Sequence, residues 1–376
     1  MKIVSVVGAR PQLIKAAVVS RALRTRPELK ELLVHTGQHY DEDMSDVFFR
    51  ELAIPEPVVN LGVGSDLQGA QTARMLEGLE HLMIEQAPDW VLVYGDTNST
   101  IAGALAAAKL QIPVAHVEAG LRSFNRGMPE EINRVVTDHL SSLLFAPTTA
   151  AVEALKREGM TSDRIRLVGD VMFDAVLFYA RQAETKSTTL RTLGLPAGGY
   201  ILSTIHRAEN TDDPQRLTEI FGGLARAAAD LPVVVPLHPR TRKVLDTLSI
   251  RDNGLKALSI IDPVGYLDMT MLEKHARLIV TDSGGVQKEA FFHGVPCVTL
   301  RNETEWVELV DSGWNVLVPP QSEREVHAAI LRALEKEVPC KKEQFYGDGR
   351  AAEAIVCALS EENTGSLSAK APCAPQ

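Results

Sequence analysis

The stretch WVLVYGDTNSTIAGALAAAKLQIPVAHVE, residues 90–118, contains a complete strand–helix–strand unit. Its two ends, WVLVYGD and IPVAHVE, are apolar runs of strand length, and Ser99–Lys109 between them is typical of a helix. A helical crossover joins parallel strands, and strands that are apolar throughout belong to a sheet covered by helices on both faces. The stretch therefore predicts a parallel α/β sheet.

The same alternation of strand and helix continues along the chain. The first half adds amphipathic helices at Gln12–Arg24 and Ala70–Glu85 and the strands IVSVVGA, LLVHTG and LLFAP. After a polar segment at 181–199 the pattern restarts, with strands YILSTIH, LPVVVPLH, LSIIDP, RLIVTD, VPCVTL and NVLVP. The sequence thus predicts an α/β fold of two doubly wound, Rossmann-like domains that face a central cleft.

The polar segment places the predicted domain boundary, with a first domain at 1–180 and a second at 181–360. The last helix of the second domain could pack back on the first. The final segment, 361–376, is rich in small residues and is predicted to be disordered. A chain of 376 residues with 45% hydrophobic and 23% charged residues fits a soluble protein of two domains.

Charge and cysteine content exclude several classes of partner. A net charge of −10 disfavours nucleic acid, although a local basic pocket could bind a small anion. No apolar run reaches membrane-spanning length, and MKIVSVVGAR resembles a first strand rather than a secretion signal. The cysteines at 297, 340, 357 and 373 have no CxxC spacing, so the sequence predicts neither a zinc site nor disulfides, and a cytoplasmic location.

Polar, charged and glycine residues gather where the predicted strands end. In doubly wound folds, ligands bind beyond the carboxyl ends of the strands, so these residues are predicted to form two walls of one site. The segments are Gly8–Pro11, Gly37–His39, Gly95–Thr97, His116–Glu118, His206–Arg207, His238–Arg240 and Asp282–Gly285.

The segment TDSGGVQKEA, residues 281–290, follows a strand and opens a helix. Asp282 or Ser283 can cap this helix, and Gly284 and Gly285 would let a phosphate approach its free N–H groups. Glu289 lies one turn further and could bind a ribose diol. A capped helix after a tight turn explains the motif equally well. It is neither GxGxxG nor a Walker motif, so no nicotinamide cofactor is predicted.

The segment GARPQLIK, residues 8–15, is the equivalent turn in the first half. Gly8 permits the turn, and Pro11 suits the first turn of a helix. Arg10 and Lys15 could face an anion, although a solvated surface position is the commoner role for a residue such as Lys15.

Acidic residues of the first half are candidates for proton transfer. Asp96 lies between a strand and a helix, where an N-cap role would also explain it. His116 and Glu118 are predicted to point outward at the next strand end, near Asp96 if the strands are neighbours. Glu118 is the harder to explain structurally, because its surroundings are apolar.

Two more acids, Glu130 and Glu131, start a helix after Pro129. Arg134 is predicted to pair with Glu130 at i,i+4 spacing. Because acids at a helix N-terminus are favourable anyway, capping and ion pairing would explain all three side chains without chemistry.

Two histidines, His206 and His238, end strands of the second half. A structural, hydrogen-bonded role is usual for such histidines, but Arg207, Arg240 and Arg242 nearby favour an anion-facing one. No histidine or carboxylate spacing is typical of a metal site, so no metal is predicted.

Taken together, these motifs resemble those of the non-hydrolysing UDP-N-acetylglucosamine 2-epimerase family. The resemblance covers nearly the whole chain in order, through GARPQLIK, GDTNST, HVEAGLR, PEEINR, HRAEN, DPVGY and TDSGGVQKEA to the helix after TEWVELV. It implies a fold similar to GT-B glycosyltransferases, a homodimer, a UDP-sugar substrate, and a reaction without metal or nicotinamide.

Motif by motif, the resemblance implies catalytic carboxylates at Asp96, Glu118 and Glu130 and an important histidine at His206. The binding residues that it implies are Arg10, Ser283, Gly284 and Gly285 at the diphosphate, Glu289 at the ribose, and Lys15 and Arg134 elsewhere in the active site.

The chain departs from the family pattern at four places. Gln12 replaces an acid, Trp306 replaces an arginine, the loop between HVEAGLR and PEEINR is shorter, and GQHYDEDM differs from a segment implicated in allosteric control. These features most resemble the branch that acts on UDP-2,3-diacetamido-2,3-dideoxyglucuronate for lipopolysaccharide O-antigen. The C6 carboxylate of that sugar would need a cation, for which Arg122, Arg126 and Arg240 are candidates.

The reaction implied is inversion at C2 by elimination and re-addition of UDP. Three alternatives remain open at the level of sequence. They are a GT-B-type UDP-sugar glycosyltransferase, a hydrolysing epimerase that releases the free sugar, and a non-catalytic UDP-sugar binding protein.

Overall fold

The computed structural model describes residues 1–38, 54, 56–247, 255–336 and 344–369, without the side chains of 239, 240 and 363–369. The chain forms two compact units. Unit 1 comprises Met1–Ala175 and Gln344–Gln376, and unit 2 comprises Val176–Glu343. The division falls inside a helix, a few residues before the polar segment that the sequence suggested as the boundary.

Unit 1 contains a parallel sheet of seven strands in the order β3-β2-β1-β4-β5-β6-β7. The strands are β1 Lys2–Val7, β2 Lys30–His35, β3 Val59–Asn60, β4 Trp90–Tyr94, β5 Val114–Val117, β6 Leu143–Ala146 and β7 Ile165–Leu167. The helices among and after them are α1 Arg10–Leu23, α2 Gln68–Gln86, α3 Asn98–Lys109, α4 Pro129–Leu140, α5 Thr149–Arg157 and α6 Val171–Lys186. The five strands predicted for this half are confirmed, whereas the short edge strands β3 and β7 were not predicted.

Unit 2 contains a parallel sheet of six strands in the order β10-β9-β8-β11-β12-β13. All six were predicted, and they are β8 Ile201–Thr204, β9 Val233–Pro236, β10 Ser259–Ile261, β11 Leu278–Thr281, β12 Cys297–Thr299 and β13 Asn315–Leu317. The helices are α7 Thr189–Thr192, α8 Ala208–Thr211, α9 Pro214–Ala227, α10 Pro239–Thr247, α11 Tyr266–Lys274, α12 Gly284–His293, α13 Val307–Asp311 and α14 Glu323–Glu335, with a 3₁₀ turn at Leu255–Ala257.

The last helix, α15 Ala351–Ala369, belongs to unit 1 and packs on α1. It includes residues 361–369, which differs from the disorder expected there, and 370–376 lie outside the described residues. Asp174 caps it, because its carboxylate accepts hydrogen bonds from the N–H groups of Ala351 at 3.1 Å and Ala352 at 2.8 Å. Burial raises the pKa of Asp174 to about 6.

Both sheets place their polar strand ends at a topological switch point. In unit 1 the chain builds outward from β1 to β3 and then returns to β4 on the other side, and unit 2 does the same around β8 and β11. Adjacent strands whose connections diverge leave a crevice at their carboxyl ends, which is where doubly wound folds bind ligands. The turns after β1, β4 and β5 therefore meet in one unit, and those after β8 and β11 meet in the other.

Close packing of α3 on the sheet positions the turn after β4. A Cβ atom on Gly103 of α3 would lie 3.2 Å from Val93 and 3.3 Å from Val6, so the helix lies very near β1 and β4. The turn after β1 is equally tight, since a Cβ on Gly8 would lie 2.0 Å from Ser99 Oγ and 2.1 Å from Thr36 Oγ1. In both places a glycine without a side chain lets its backbone pack directly against the side chains of neighbouring elements, and this close packing sets the geometry of the turns.

Candidate active site

Lys15 and Glu118 form a nearly buried ion pair in unit 1. Lys15 Nζ, from α1, donates to Glu118 Oε2 at the end of β5, so Lys15 is not the solvated surface residue that the sequence left as the alternative. Gly95, after β4, lies against both, because a Cβ there would be 3.2 Å from Glu118 Oε2 and 3.3 Å from Lys15 Nζ. Arg10 is the first residue of α1 and is half-buried.

Asp96 is paired with Arg134, whose Nη2 donates to Asp96 Oδ2 at 2.6 Å. The cap of α3 is Thr97, which accepts a hydrogen bond from the N–H of Thr100 at 3.4 Å. Asp96 is thus not used as the N-cap, and its side chain is one-third exposed, at 33%. Asp96 thus presents a partly accessible carboxylate that a guanidinium holds in place.

Glu130 and Glu131 have opposite environments in the first turn of α4. Glu130 is exposed, whereas Glu131 is buried and accepts hydrogen bonds from the N–H groups of Ser123 at 2.9 Å and Phe124 at 3.0 Å. The predicted Glu130–Arg134 pair is wrong, because Arg134 Nη1 donates to Glu131 at 2.9 Å. Burial opposes ionisation of Glu131, but the hydrogen bonds from Ser123 and Arg134 outweigh it and lower its pKa.

His116 and Arg122 lie inside the protein, which corrects two predictions. His116, expected to point outward, is fully buried, with Nδ1 2.7 Å from Asp138 and Nε2 2.8 Å from the carbonyl oxygen of Gly95. Arg122 donates from Nε and Nη2 to Glu158 at 2.8 and 2.7 Å and also pairs with Asp138 at 2.7 Å. With its side chain 2% exposed, Arg122 is not available to a substrate carboxylate.

Gln12, where the family pattern has an acid, makes four hydrogen bonds in the interior. Its Oε1 accepts from the N–H groups of Gly8 at 2.8 Å and Ala9 at 3.1 Å. Its Nε2 donates to the carbonyl oxygen of Tyr94 at 2.8 Å and to Thr100 Oγ1 at 3.0 Å. Gln12 therefore ties the turn after β1 to the end of β4.

In unit 2, Asp282 organises the turn after β8. Its buried carboxylate accepts hydrogen bonds from the N–H groups of His206 and Arg207, each at 3.1 Å. Asn210 Nδ2 donates to it at 2.9 Å. This arrangement leaves the side chain of His206 46% exposed, with its ring centroid 6.4 Å from that of His238. His206 is thus presented at the strand end on a fixed backbone.

Ser283 is the residue that caps α12, since its Oγ accepts from the N–H of Val286 at 3.4 Å. The space in front of Gly285 is open, because the nearest atoms to a Cβ there are Ser283 Oγ at 3.9 Å and Glu289 Oε2 at 4.0 Å. A helix N-terminus with an exposed glycine can accept an anion on its N–H groups. The cap and the candidate anion site therefore coexist at one turn.

Glu289 is nearly buried one turn into α12. Tyr266 donates to its Oε1 at 3.4 Å, and a second carboxylate, Glu273, is buried nearby. Burial, reinforced by the charge of Glu289, raises the pKa of Glu273 well above its usual value. Glu273 was not singled out from the sequence, because nothing in the sequence around it distinguishes it from other acidic residues in helices.

Trp306, the departure from the family arginine, is buried beside a cation. Lys288 Nζ lies 4.1 Å from the centroid of its ring, within the range of a cation–π interaction. Nearby, the buried Arg301 donates to Glu305 at 3.0 Å, and Glu305 Oε1 would be 2.5 Å from a Cβ on Gly284. The segment after β12 is thus packed tightly against the start of α12.

Some predicted features fall outside the described residues. They are residues 39–44 of the segment GQHYDEDM, the side chain of Arg240, and Cys340 and Cys373. Within the ranges given above, no group of three or more His, Cys, Asp or Glu side chains is placed to hold a metal ion. Nor is any helix in those ranges both long and apolar enough to cross a bilayer.

Comparison with known proteins identifies the family. The sequence model of the UDP-N-acetylglucosamine 2-epimerases matches residues 21–360. The chain belongs to the UDP-N-acetylglucosamine 2-epimerase family. It is 51% identical to the UDP-2,3-diacetamido-2,3-dideoxy-D-glucuronate 2-epimerase of Pseudomonas aeruginosa over 94% of this chain and 98% of that protein. It is also 45% identical to the UDP-N-acetylglucosamine 2-epimerase of Methanocaldococcus jannaschii, over 96% of this chain and 99% of that protein. Both relatives are UDP-sugar 2-epimerases, which are isomerases.

Solved members of the UDP-N-acetylglucosamine 2-epimerase family have the same fold. The Methanocaldococcus jannaschii enzyme in complex with UDP-GlcNAc and UDP matches with a TM-score of 0.88 and 44% identity, over 96% of this chain and all of that one. The Neisseria meningitidis enzyme bound to UDP-GlcNAc matches with a TM-score of 0.87 and 30% identity, over the same shares. The GT-B-like α/β fold predicted from the sequence is thereby confirmed.

Proposed function

We propose that this protein interconverts the C2 epimers of a UDP-2-acetamido sugar by eliminating UDP and adding it back. The observation that carries the proposal is the pairing of Glu118 with Lys15 and of Asp96 with Arg134 at adjacent strand ends. The proton on C2 is bound to carbon and has very low acidity. Its removal and return on opposite faces require positioned acid–base groups, which paired strand-end carboxylates provide.

The proposed reaction has two balanced halves. A base takes the proton from C2, a C1–C2 double bond forms, and the C1–O bond breaks with its electron pair on the departing UDP. UDP then adds back to C1 while a proton is delivered to the other face of C2. Asp96, Glu118 and Glu130 are proposed to carry the proton transfers, because they are the carboxylates of this chain that match the acidic positions of the family motifs.

A separate set of residues is proposed to hold UDP through both halves of the reaction. The N-terminus of α12 at Ser283–Gly285 would receive the diphosphate, Glu289 the ribose diol, and His206 and Arg10 the developing negative charge. Support comes from the open space before Gly285 and the exposed side chain of His206. Neither a metal nor a nicotinamide takes part in this proposal.

For the substrate, we propose UDP-2,3-diacetamido-2,3-dideoxyglucuronate, an O-antigen precursor, with UDP-N-acetylglucosamine as the other member of the class. The support is the 51% identity with the Pseudomonas aeruginosa enzyme of that name. Because Arg122 is committed to Asp138 and Glu158, the cation for the C6 carboxylate is proposed to be Arg126. Arg126 is exposed in the loop that Glu131 holds through Ser123 and Phe124.

The test is incubation with each sugar nucleotide in heavy water. An epimerase of this type incorporates deuterium at C2 of both epimers and retains the UDP-sugar. A glycosyltransferase without acceptor leaves C2 unlabelled, a hydrolysing epimerase accumulates UDP and free sugar, and a binding protein changes nothing. Any of these three outcomes would refute the proposal, and the faster of the two substrates identifies the branch.

The protein is further proposed to be a cytoplasmic homodimer. It is also proposed not to bind nucleic acid, because its net charge of −10 would repel a phosphate backbone. Light scattering on the purified chain measures the oligomeric state. A monomer at micromolar concentration would contradict the dimer.

A further inference from the structure

The HVEAGLR segment wraps around one buried carboxylate, that of Asp138 in α4. The carboxylate of Asp138 lies 2.7 Å from His116 Nδ1 and 2.7 Å from Arg122 Nη2, and it accepts a hydrogen bond from the N–H of Gly120 at 3.1 Å. Asp138 has no exposed surface. The donors 116, 120 and 122 thus face inward around Asp138, while Glu118 between them pairs with Lys15.

Both ring nitrogens of His116 must carry a proton. Nε2 lies 2.8 Å from the carbonyl oxygen of Gly95, which can only accept, so this nitrogen donates. Nδ1 lies 2.7 Å from Asp138. Burial disfavours the charged form of Asp138, but His116 and Arg122 outweigh it and keep its pKa below the usual value. The guanidinium of Arg122 and the N–H of Gly120 also donate to this carboxylate, so Asp138 is an acceptor and the ring donates from both sides.

We propose that His116 is a buried imidazolium that donates from both ring nitrogens and so positions the strand ends carrying Asp96 and Glu118. Its Nε2–H fixes the carbonyl of Gly95, the residue before Asp96, and its Nδ1–H fixes Asp138, which in turn holds the turn after Glu118. The inference rests on the proposed function only in that these two carboxylates serve one reaction. His116 itself touches no substrate and is a positioning residue.

The surrounding charges make a buried cation tolerable. His116 and Arg122 carry two positive charges, and Asp138 and Glu158 carry two negative charges, in direct contact. An ion cluster that is balanced and fully hydrogen-bonded avoids the cost of an isolated buried charge. A neutral ring would instead set an unprotonated nitrogen against an oxygen acceptor, either Gly95 or Asp138.

The backbone at the two strand ends needs such a restraint. Gly95 has φ +63° and Glu118 has φ +74°, and the left-handed region is unfavourable for a glutamate. The N–H of Gly95 donates to the carbonyl oxygen of Val117 at 2.9 Å, so His116 adds a second link between the same two turns. Errors of about 1 Å in such groups can lower turnover about 100-fold.

The first experiment measures the protonation state in the wild-type chain. With ¹⁵N-labelled histidine, we expect both ring nitrogens of His116 to show bonded protons and imidazolium shifts, because each nitrogen faces an oxygen acceptor. The signals are assigned by their absence in His116→Gln. One nitrogen with the shift of an unprotonated imidazole would overturn the inference, whether or not the protein proves to be an epimerase.

The second experiment measures positioning through kinetics. His116→Gln keeps one donor and loses the charge, and Asp138→Asn keeps the shape and removes the counter-ion. We expect each to lower kcat about 100-fold, with KM and UDP affinity changed less than about threefold, because UDP is bound elsewhere. His139→Gln, an exposed neighbour on α4, is the matched control and should match the wild type.

The outcomes separate the two proposals. Wild-type kcat in a folded His116→Gln or Asp138→Asn variant would overturn the positioning role. A wild-type chain without C2 exchange on either sugar would refute the proposed function instead, while the ring-nitrogen measurement still decides the charge of His116. If His116→Gln does not fold, Asp138→Asn carries the kinetic test, and the ring signals of His116 are identified as those that change in Asp138→Asn.

Discussion

At the scale of single residues, Glu118 combines burial, an ion pair and an unfavourable backbone. Its φ of +74° costs on the order of 1–3 kcal/mol for a residue other than glycine. The N–H groups of Glu118 and Ala119 both donate to the carbonyl oxygen of Phe145 at 3.1 Å, and the contact with Lys15 holds the side chain. Strain retained in this way is typical of a functional position.

Removing the charge of Glu118 tests its role. We expect Glu118→Gln to lower C2 exchange in heavy water about 10²–10⁴-fold, because the amide cannot take up the C2 proton. UDP affinity by calorimetry should stay within about twofold, since Glu118 is not among the residues proposed to hold UDP. Glu153→Gln, an exposed acid on α5, is the control. Exchange at the wild-type rate in Glu118→Gln would remove this residue from the mechanism.

Arg126 is expected to select the sugar. Arg126→Gln should lower kcat/KM for the diacetamido-glucuronate substrate at least about tenfold, since it loses an interaction with a carboxylate of about 1.5–3 kcal/mol. The same variant should act normally on UDP-N-acetylglucosamine, which has no C6 carboxylate. Arg157→Gln, also exposed in unit 1, is the control. Equal losses on the two sugars would argue against a carboxylate contact.

The sequence predicted which strand ends lie side by side better than where their side chains point. Asp96 and Glu118 lie at neighbouring strand ends as expected, because β4 and β5 pair in register. The alternation of side chains along a strand predicted that His116 points outward. This prediction is wrong because both faces of the sheet are buried at β5. A helical period would have found the inward face of α4, since Glu131, Arg134 and Asp138 recur at i, i+3 and i+7.

At the scale of elements, the start of α12 has two glycines with different surroundings. A Cβ on Gly284 would be 2.5 Å from Glu305 Oε1, whose partner Arg301 is fully buried, whereas a Cβ on Gly285 meets nothing closer than 3.9 Å. A side chain at the first glycine would therefore displace the carboxylate of Glu305, which accepts from Arg301. The second is free to serve the approach of a ligand.

Alanine substitutions distinguish these roles. We expect Gly284→Ala to lower the free energy of unfolding in urea by about 1–3 kcal/mol, as overpacking does. Gly285→Ala should leave it within about 0.5 kcal/mol but weaken UDP binding about tenfold or more, because the methyl group occupies the space proposed for phosphate. UDP binding unchanged by Gly285→Ala would place the diphosphate elsewhere.

The cap of α15 should make stability depend on pH. Asp174 has a pKa of about 6 in the folded chain and an ordinary value near 3.8 when unfolded, so the folded form binds more protons between these values. Its contribution is full below about pH 4 and is lost as pH rises through about 6. The wild type should lose up to about 3 kcal/mol relative to Asp174→Asn over this range.

Urea denaturation from about pH 4 to about pH 7 measures the difference between the two proteins. The control is Asp311→Asn, at an exposed aspartate, which should follow the pH profile of the wild type. Parallel profiles of the wild type and Asp174→Asn would contradict the assignment.

At the scale of the whole molecule, two sheets of different sequence have the same construction. Each builds outward from a central strand, returns to the other side, and leaves its polar turns at the return point. Apolar strand runs predicted this architecture because burial on both faces imposes them on β1, β4–β6, β8, β9, β11 and β12. The edge strand β3 is too short, at two residues, to produce such a run, and in β7 Arg166 interrupts it.

The side chain of Gln12 has a consequence for how catalytic groups are counted. An amide can accept on one side and donate on the other, so Gln12 serves Gly8, Ala9, Tyr94 and Thr100 at once. The acid common at this place in the family could repeat the contact to the carbonyl oxygen of Tyr94 only while it kept its proton, since a carboxylate would repel that oxygen. In this chain the side chain at position 12 is therefore uncharged and joins two turns by hydrogen bonds. An acid found there in a relative need not take part in proton transfer beside the three proposed carboxylates.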